Sequence, residues 1–366
     1  MRIMFLIFSF NTGGIERQLI EMSKVMIRRG EEVSLCVIND DYSADLLEQV
    51  PKEVRTYFLG RTPGSKTTWK GMGQLSELIA RTNTQILHCQ GANCVLYAAR
   101  AKIEHPGLVI LNTVHTCGNY PSYSRAKIFA LNRLCSMTIG ISHTVEKEIL
   151  SRKVPKNRVT MIYNAIDTKR FPLRGTRTFG EDGVIKIGCV ARLYPAQKGQ
   201  DTLVSAVLKL LPDFPQLHCS FAGDVFKGQE EAVKALKDQI HEAGADGNFT
   251  FIGNVADVPG FLSGLDVFVM PSHSEAFGNA LIEAMSCGLC CIASHLAGPE
   301  EILKNPTLGL LFEPGDAEDL ADKIRQMIRD HADYDPQKIS AYVRENFDIE
   351  QMVDRHLALY QSLLKD

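Results

Sequence analysis

No apolar run in the 366-residue sequence reaches the ~18 residues that a membrane-spanning helix needs. Nor does any GxGxxG stand before an acidic residue ~20 positions on, so a dinucleotide oxidoreductase lacks its fingerprint; the glycine pair in "NTGGIERQ" (11–18) is no substitute. Cys287 and Cys290 form the one CxxC, "CGLC", without a second ligand pair or a thioredoxin-like setting, which excludes the usual zinc and redox readings. The ten cysteines lie scattered in apolar runs, as at Cys36, Cys189 and Cys219, and read as reduced, buried thiols. Tryptophan occurs once, as Trp69. Acidic residues are missing from two long stretches, 54–76 and 106–145.

What is present is ordinary for a globular enzyme: 45% hydrophobic and 23% charged residues, in a chain long enough for two domains. The opening "MRIMFLIFSF" runs straight into "NTGGIERQ" with no cleavage-type segment and reads as a first core strand, so the expected location is the cytoplasm. Charge is unevenly spread. Residues 1–165 hold 21 Lys and Arg against 13 Asp and Glu, a net +8, and the remainder carries −11. Such asymmetry points to different partners for the two halves.

Strand-like runs alternate with helical ones throughout. The first half offers seven, from "RIMFLIFSF" to "VTMIYN", and the second six, from "IKIGCVARL" to "LGLLFEP". Near-continuous apolar strands between helices predict parallel sheets covered on both faces, hence two doubly wound α/β domains. The break falls in "DTKRFPLRGTRTFGEDG", giving domains 1–168 and 169–349, with a helix at about 350–366 returning to the first. Ligands of such sheets bind at the carboxyl ends of strands, and the expected site is the cleft between the domains.

Three stretches carry chemistry. In "LDVFVMPSHSEAFGNALIEAMSCG" a strand, a loop and a helix follow one another, with Glu275 in the loop, Glu283 on the helix's second turn, and Gly278 and Asn279 where the helix begins. The unpaired N–H groups at that start favour an anion such as phosphate. In "GCVARLYPAQKGQD" a strand ends near Arg192 and Lys198-Gly199 opens a helix. Two cations there suit a diphosphate, Arg bidentately and Lys as a point charge. His115 ends the strand "LVILNTVH", again at a carboxyl end. Each feature alone has a plain alternative: solvated surface charges, a tight turn, a structural histidine. Arg, Lys and a helix N-terminus in one domain favour the phosphate reading.

In order, "GGIE", "VHT" at 114–116, "YNAID" at 163–167, "ARLYPAQKG", "FAGD", "FIGNV" and "ADVPGFLSGLDVFVMPSHSEAFG" cover almost the whole chain, and "EAFGNALIEA" matches an E-x7-E motif. In these features the sequence resembles the family-4 retaining glycosyltransferases, which have the GT-B fold of two facing Rossmann-like domains. Where many relatives have proline after the "CG" turn, this chain has Cys290. The resemblance implies that Arg192 and Lys198 hold a donor diphosphate, that Glu283 binds the ribose and that Glu275 faces the donor sugar. It puts backbone at Phe277, Gly278, Asn279 and Ala280 on phosphate and sugar, Val255 and Asp257 at the base, Gly14 near phosphate or acceptor, and His115 near the sugar.

The implied reaction moves a sugar from a nucleotide-diphosphate sugar, a UDP-sugar first among donors, with retention and with no metal or other cofactor. The resemblance puts Glu275 against sugar hydroxyls, not beneath C1, so front-face attack is expected over a covalent intermediate. A metal-dependent enzyme would use a DxD. The one present, "DYD" at 333–335, precedes a proline and a helical run and reads as helix-capping turn residues. A sugar-nucleotide epimerase of similar fold and a nonenzymatic sugar-nucleotide-binding protein are the alternatives. The acceptor is expected to be anionic, a glycan or lipid-linked molecule. Lys66, Trp69 and Lys70 in one acid-free stretch, and Arg125 and Lys127 in the other, would meet it or an anionic membrane at the inner face of the plasma membrane. Nucleic acid is not expected, given the site chemistry and a pI of 6.4.

Overall fold

The computed structural model describes residues 1–11, 13–175 and 179–365. Thr12 of the "NTGGIERQ" turn, residues 176–178 of the expected linker and Asp366 lie outside them. The chain forms two compact units, one of 1–166 with 349–365, the other of 167–348. These boundaries lie two residues from the expected ones at the first crossing and one at the second. The Ile349 amide donates to the Ile166 carbonyl, 2.9 Å, so the points where the chain leaves and re-enters the first unit lie side by side within it.

The first unit holds a seven-stranded sheet: β1 (Arg2–Ile7), β2 (Glu32–Asn39), β3 (Arg55–Arg61), β4 (Ile86–Gln90), β5 (Val109–Val114), β6 (Met137–Gly140) and β7 (Val159–Met161), in spatial order β3-β2-β1-β4-β5-β6-β7. Every neighbouring pair is parallel. Phe5 aligns with Leu35 on one side and His88 on the other. Its core joins Phe5, Phe10, Met26, Val37 and Leu111 to Val353 and Tyr360 of the helix Ile349–Leu363. That helix is tied to the helix Gly14–Arg28 by salt bridges from Arg28 to Glu350 and from Arg29 to Asp354.

The second unit holds a six-stranded parallel sheet: β8 (Ile185–Val190), β9 (Leu217–Ala222), β10 (Phe249–Gly253), β11 (Val267–Met270), β12 (Cys290–Ser294) and β13 (Leu310–Phe312), in order β10-β9-β8-β11-β12-β13. Strand order reverses direction at β1/β4 in the first unit and at β8/β11 in the second. In open parallel sheets this is where the loops leaving adjacent strands part and a ligand crevice opens. Three of those loops, after β1, β8 and β11, carry or lead into Gly14, Arg192, Lys198, Glu275, Phe277 and Gly278. Among the described residues no helix is long and apolar enough to cross a membrane.

Candidate functional site

In the second unit, the loops after β8 and β11 are drawn together by three contacts. The His273 amide donates to the Gln197 carbonyl at 2.9 Å. Lys198 Nζ lies 2.9 Å from Glu275 Oε2, with the two side chains 21% and 19% exposed. Gly199 has φ +66° and so close an approach that an added Cβ would stand 1.8 Å from the Pro271 carbonyl oxygen. Only glycine meets both demands. Lys198 ends a one-turn helix, Pro195–Lys198, and does not open the long one, which starts at Gln200. Proline at the first helical position starts that extra turn, and left-handed Gly199 ends it.

Arg192 lies exposed in the same loop, two residues beyond the end of β8 at Val190. Its guanidinium sits 4.7 Å from the centre of the Phe226 ring, which stacks on Tyr194 at 5.2 Å. The Arg192 carbonyl accepts from Gln200 Nε2 at 3.0 Å. Arg192 therefore rests on an aromatic shelf while its N–H groups stay open to an anion.

The helix Asn279–Ser286 begins at Gly278, whose φ of +118° no other residue adopts comfortably. Asn279 and Ala280 form its first turn and Glu283 lies on the second. Phe277 is fully buried and packs edge-on against Phe347 at 5.6 Å, so its backbone, not its ring, faces this start. Gly298 presses on that backbone: an added Cβ would stand 2.2 Å from Phe277 Cα. The N-terminal end of the helix thus follows the same loop that carries Glu275, which Lys198 reaches from the loop after β8. Pairing with Lys198 offsets the Glu275 charge and removes the repulsion that a bare carboxylate would exert on a bound anion.

Val255 is half-buried and Asp257 exposed in the loop after β10. The Asp257 carboxylate is committed: it caps the helix Val258–Ser263 by accepting from the Gly260 amide at 2.9 Å. Of the "DYD" triplet, Asp335 caps the helix Pro336–Asn346, accepting from the Gln337 and Lys338 amides. Burial pushes the Cys287 thiol up to about 12 and the Cys290 thiol to about 11, so both stay protonated and inert in the neutral range.

In the first unit, Gly14 opens the helix Gly14–Arg28 after β1. Gly13 is extended, with φ −164°, and an added Cβ there would meet Glu16 Oε2 at 2.5 Å. His115 sits one residue beyond β5. Its Nε2 lies 2.8 Å from Gln90 Oε1 at the end of β4, and its Nδ1 is buried without a partner among the described residues. Burial lowers the His115 pKa to about 4, with a smaller effect from His356, so the ring is neutral at pH 7. Behind it His88 bonds through Nδ1 to the Tyr360 hydroxyl and through Nε2 to Thr113 Oγ1, both at 2.6 Å. A cavity of about 10 Å³ lies among Gln18, His88, Gln90, His115, Asn164 and His356.

Elsewhere in this unit an open groove of about 450 Å³ runs between β3 and the helix Trp69–Thr82, bordered by Arg61, Lys66 and Lys70. Tyr97, only 2% exposed, lines it. Trp69 is 59% exposed and carries Arg100 over its ring at 5.3 Å. Arg125 and Lys127 lie in the first turn of the helix Arg125–Leu134. Lys127 is half-buried, donates to Asn93 Oδ1 at 3.0 Å and covers the Tyr123 ring at 3.6 Å, so it is less available than sequence suggests.

Sequence reasoning missed Gln90, Phe226 and Tyr97. Gln90 could have been found, since "ILHCQG" ends a strand as plainly as "LVILNTVH" does. The other two earn their places through contacts with residues distant in sequence.

Comparison with known proteins follows the same division. The model described as Glycosyltransferase Family 4 matches residues 12–170, and that described as Glycosyl transferases group 1 matches residues 178–346. The gpi3 subunit of phosphatidylinositol N-acetylglucosaminyltransferase from Schizosaccharomyces pombe is 26% identical, over 88% of this chain and 71% of that one. The lipopolysaccharide core biosynthesis mannosyltransferase LpsB of Rhizobium meliloti is 29% identical, over 83% and 91%. Among solved structures, Anabaena HepE in complex with UDP superposes with a TM-score of 0.85 at 22% identity, covering 99% of this chain and all of that one.

Proposed function

We propose, for a chain that belongs to the family-4 glycosyltransferases and has their GT-B fold, that it moves a sugar from a nucleotide-diphosphate donor, a UDP-sugar first, to a hydroxyl of a glycan or lipid-linked acceptor. The observation that carries this reading is the convergence in the second unit of Arg192, the Lys198–Glu275 pair and the helix start at Gly278. Two cations and a helix N-terminus answer a diphosphate. Glu275 and Glu283 answer hydroxyls on either side of it.

Transfer proceeds with retention and without metal. Glu275 is engaged by Lys198, which disfavours it as a nucleophile and suits a role in positioning the sugar. The acceptor hydroxyl attacks C1 on the face the diphosphate leaves. It forms the new C–O bond as the old one breaks, and it passes its proton to the departing phosphate oxygen. Arg192, Lys198 and the helix dipole stabilise the charge that develops there. Names among the relatives, a phosphatidylinositol enzyme and a lipopolysaccharide one, favour a glycolipid or cell-surface polysaccharide acceptor. The groove beside Lys66, Trp69 and Lys70 supplies cationic and aromatic groups for such an acceptor or for an anionic membrane surface.

The test is a panel of sugar nucleotides carrying glucose, N-acetylglucosamine and mannose, screened by thermal shift and by slow hydrolysis without acceptor. A donor that raises Tm and is cleaved supports the reading. Conversion of one sugar nucleotide into its epimer would favour the epimerase alternative, and binding without turnover under any acceptor the nonenzymatic one.

A further inference from the structure

One ring nitrogen of His115 is engaged by Gln90 and the other is not, and the structure determines the character of each. The Gln90 amide has two ends. Its Nε2 donates to the His88 carbonyl at 3.3 Å, and its Oε1 faces His115 Nε2 at 2.8 Å. The reverse orientation would set the amide oxygen against the His88 carbonyl oxygen, which is repulsive. An amide oxygen only accepts, so His115 Nε2 must carry the hydrogen. In the neutral ring Nδ1 then bears a lone pair. That Nδ1 is buried and has no partner among the described residues. Gln18 Oε1, a second buried acceptor without a partner, lines the same cavity, which has about the room one water needs. Two lone acceptors beside one small space call for hydrogen donors.

We infer that Gln90 is a positioning residue that holds His115 as its Nε2–H tautomer, so that Nδ1 presents a lone pair toward the one-water cavity, accepts from a hydroxyl that enters it, a water's or a sugar's, and turns away phosphate oxygens. The assignment rests on the reading of His115 as a sugar-side residue. The titratable groups facing His115 are His88 on β4 and His356 on the C-terminal helix. Both are kept neutral by burial, so neither supplies a charge that would override Gln90.

The full chain labelled with ¹⁵N-histidine tests this directly, with His115 assigned by its loss in His115→Asn. The wild type should show a protonated Nε2 and an unprotonated Nδ1 at pH 7. Gln90→Leu should give a mixture of tautomers. It should also lower kcat/KM for the sugar nucleotide found in the donor panel by roughly 5- to 100-fold, while UDP affinity holds. The isosteric Gln90→Glu places a carboxylate on Nε2–H, which raises the imidazole pKa and protonates Nδ1. Its activity should fall on acidification through that raised pKa and recover above it, a pH limb that the wild type lacks. This variant also keeps the test decisive if Gln90→Leu fails to fold. An Nδ1–H tautomer in the wild type, or an unchanged tautomer in Gln90→Leu, overturns the inference. If no sugar nucleotide is bound or cleaved at all, the glycosyltransferase reading fails while the tautomer spectrum still decides the role of Gln90.

Discussion

Replacing Lys198 by alanine has two consequences that separate the proposed site from an ordinary surface salt bridge. The first is loss of a cation from the leaving diphosphate. Removing one preorganised donor to developing charge costs about 2.7–4 kcal/mol in transition-state stabilisation, or roughly a hundred- to a thousandfold in rate. The second follows from the 2.9 Å contact with Glu275, whose side chain is 19% exposed. Without lysine that carboxylate is left unpaired beside the anion. Two like charges ~5 Å apart at an effective dielectric constant of ~20 repel by ~3 kcal/mol before salt screening, and exposure reduces this to ~1–2 kcal/mol. Lys198→Ala should therefore weaken UDP binding about tenfold and cut kcat more steeply. Adding Glu275→Gln should restore part of the UDP affinity while leaving kcat low. Calorimetry with UDP and initial-rate kinetics on the three variants give the numbers, and a melting curve checks that each is folded. UDP affinity within twofold of wild type in Lys198→Ala, or no recovery in the double variant, would refute the reasoning.

Gly199→Ala forces a Cβ to within 1.8 Å of the Pro271 carbonyl oxygen at φ +66°, so it should lower stability by about 1–3 kcal/mol and loosen the Lys198–Glu275 contact; denaturant melts and UDP titration check both. His356 is buried, and its pKa is lowered to about 4 against 6.5 when unfolded. The unfolded chain thus binds more protons between those values, and stability should fall as pH drops from about 6.5 to 4, by up to ~3 kcal/mol from this residue. Urea melts at pH 7 and 4.5 measure the slope, which His356→Gln should reduce. EDTA should leave most transferase activity intact, and complete loss reversed by Mg²⁺ or Mn²⁺ would count against the metal-free mechanism. The chain should sediment with anionic liposomes at low salt, release as salt rises, and bind less when Lys66, Trp69 and Lys70 are replaced together; indifference to anionic liposomes would direct the search to a soluble acceptor.

The strands were legible because each is a short, largely apolar run between helical stretches; those inside the sheets, such as β1 and β12, are buried on both faces, whereas the edge strand β3 has no fully buried residue. "CCIAS" and "LDVFVMPS" needed no tertiary information to be read as strands of a parallel sheet; that they lie side by side is seen only in the structure. Chain order and the switch-point rule then located Arg192, Glu275 and His115 at strand ends. What sequence withheld were pairings across long separations. Lys198 and Glu275 stand 77 residues apart, and nothing local says that one neutralises the other. Asp257 looked free for a base until its carboxylate appeared as a helix cap, a role that depends on the backbone turn at Gly260. Gln90 was visible as a strand end, but its pairing with His115 was not: that needed β4 and β5 side by side.

The most direct test of the central claim is the anomeric configuration of the product. With the donor found in the panel and a hydroxyl acceptor, the ¹H NMR coupling of the new glycosidic bond should report the same configuration as the donor sugar. It should appear from the first turnovers and vanish in Arg192→Ala. An inverted linkage, or a sugar nucleotide that is bound at these loops yet never passes its sugar to any acceptor, would contradict the account.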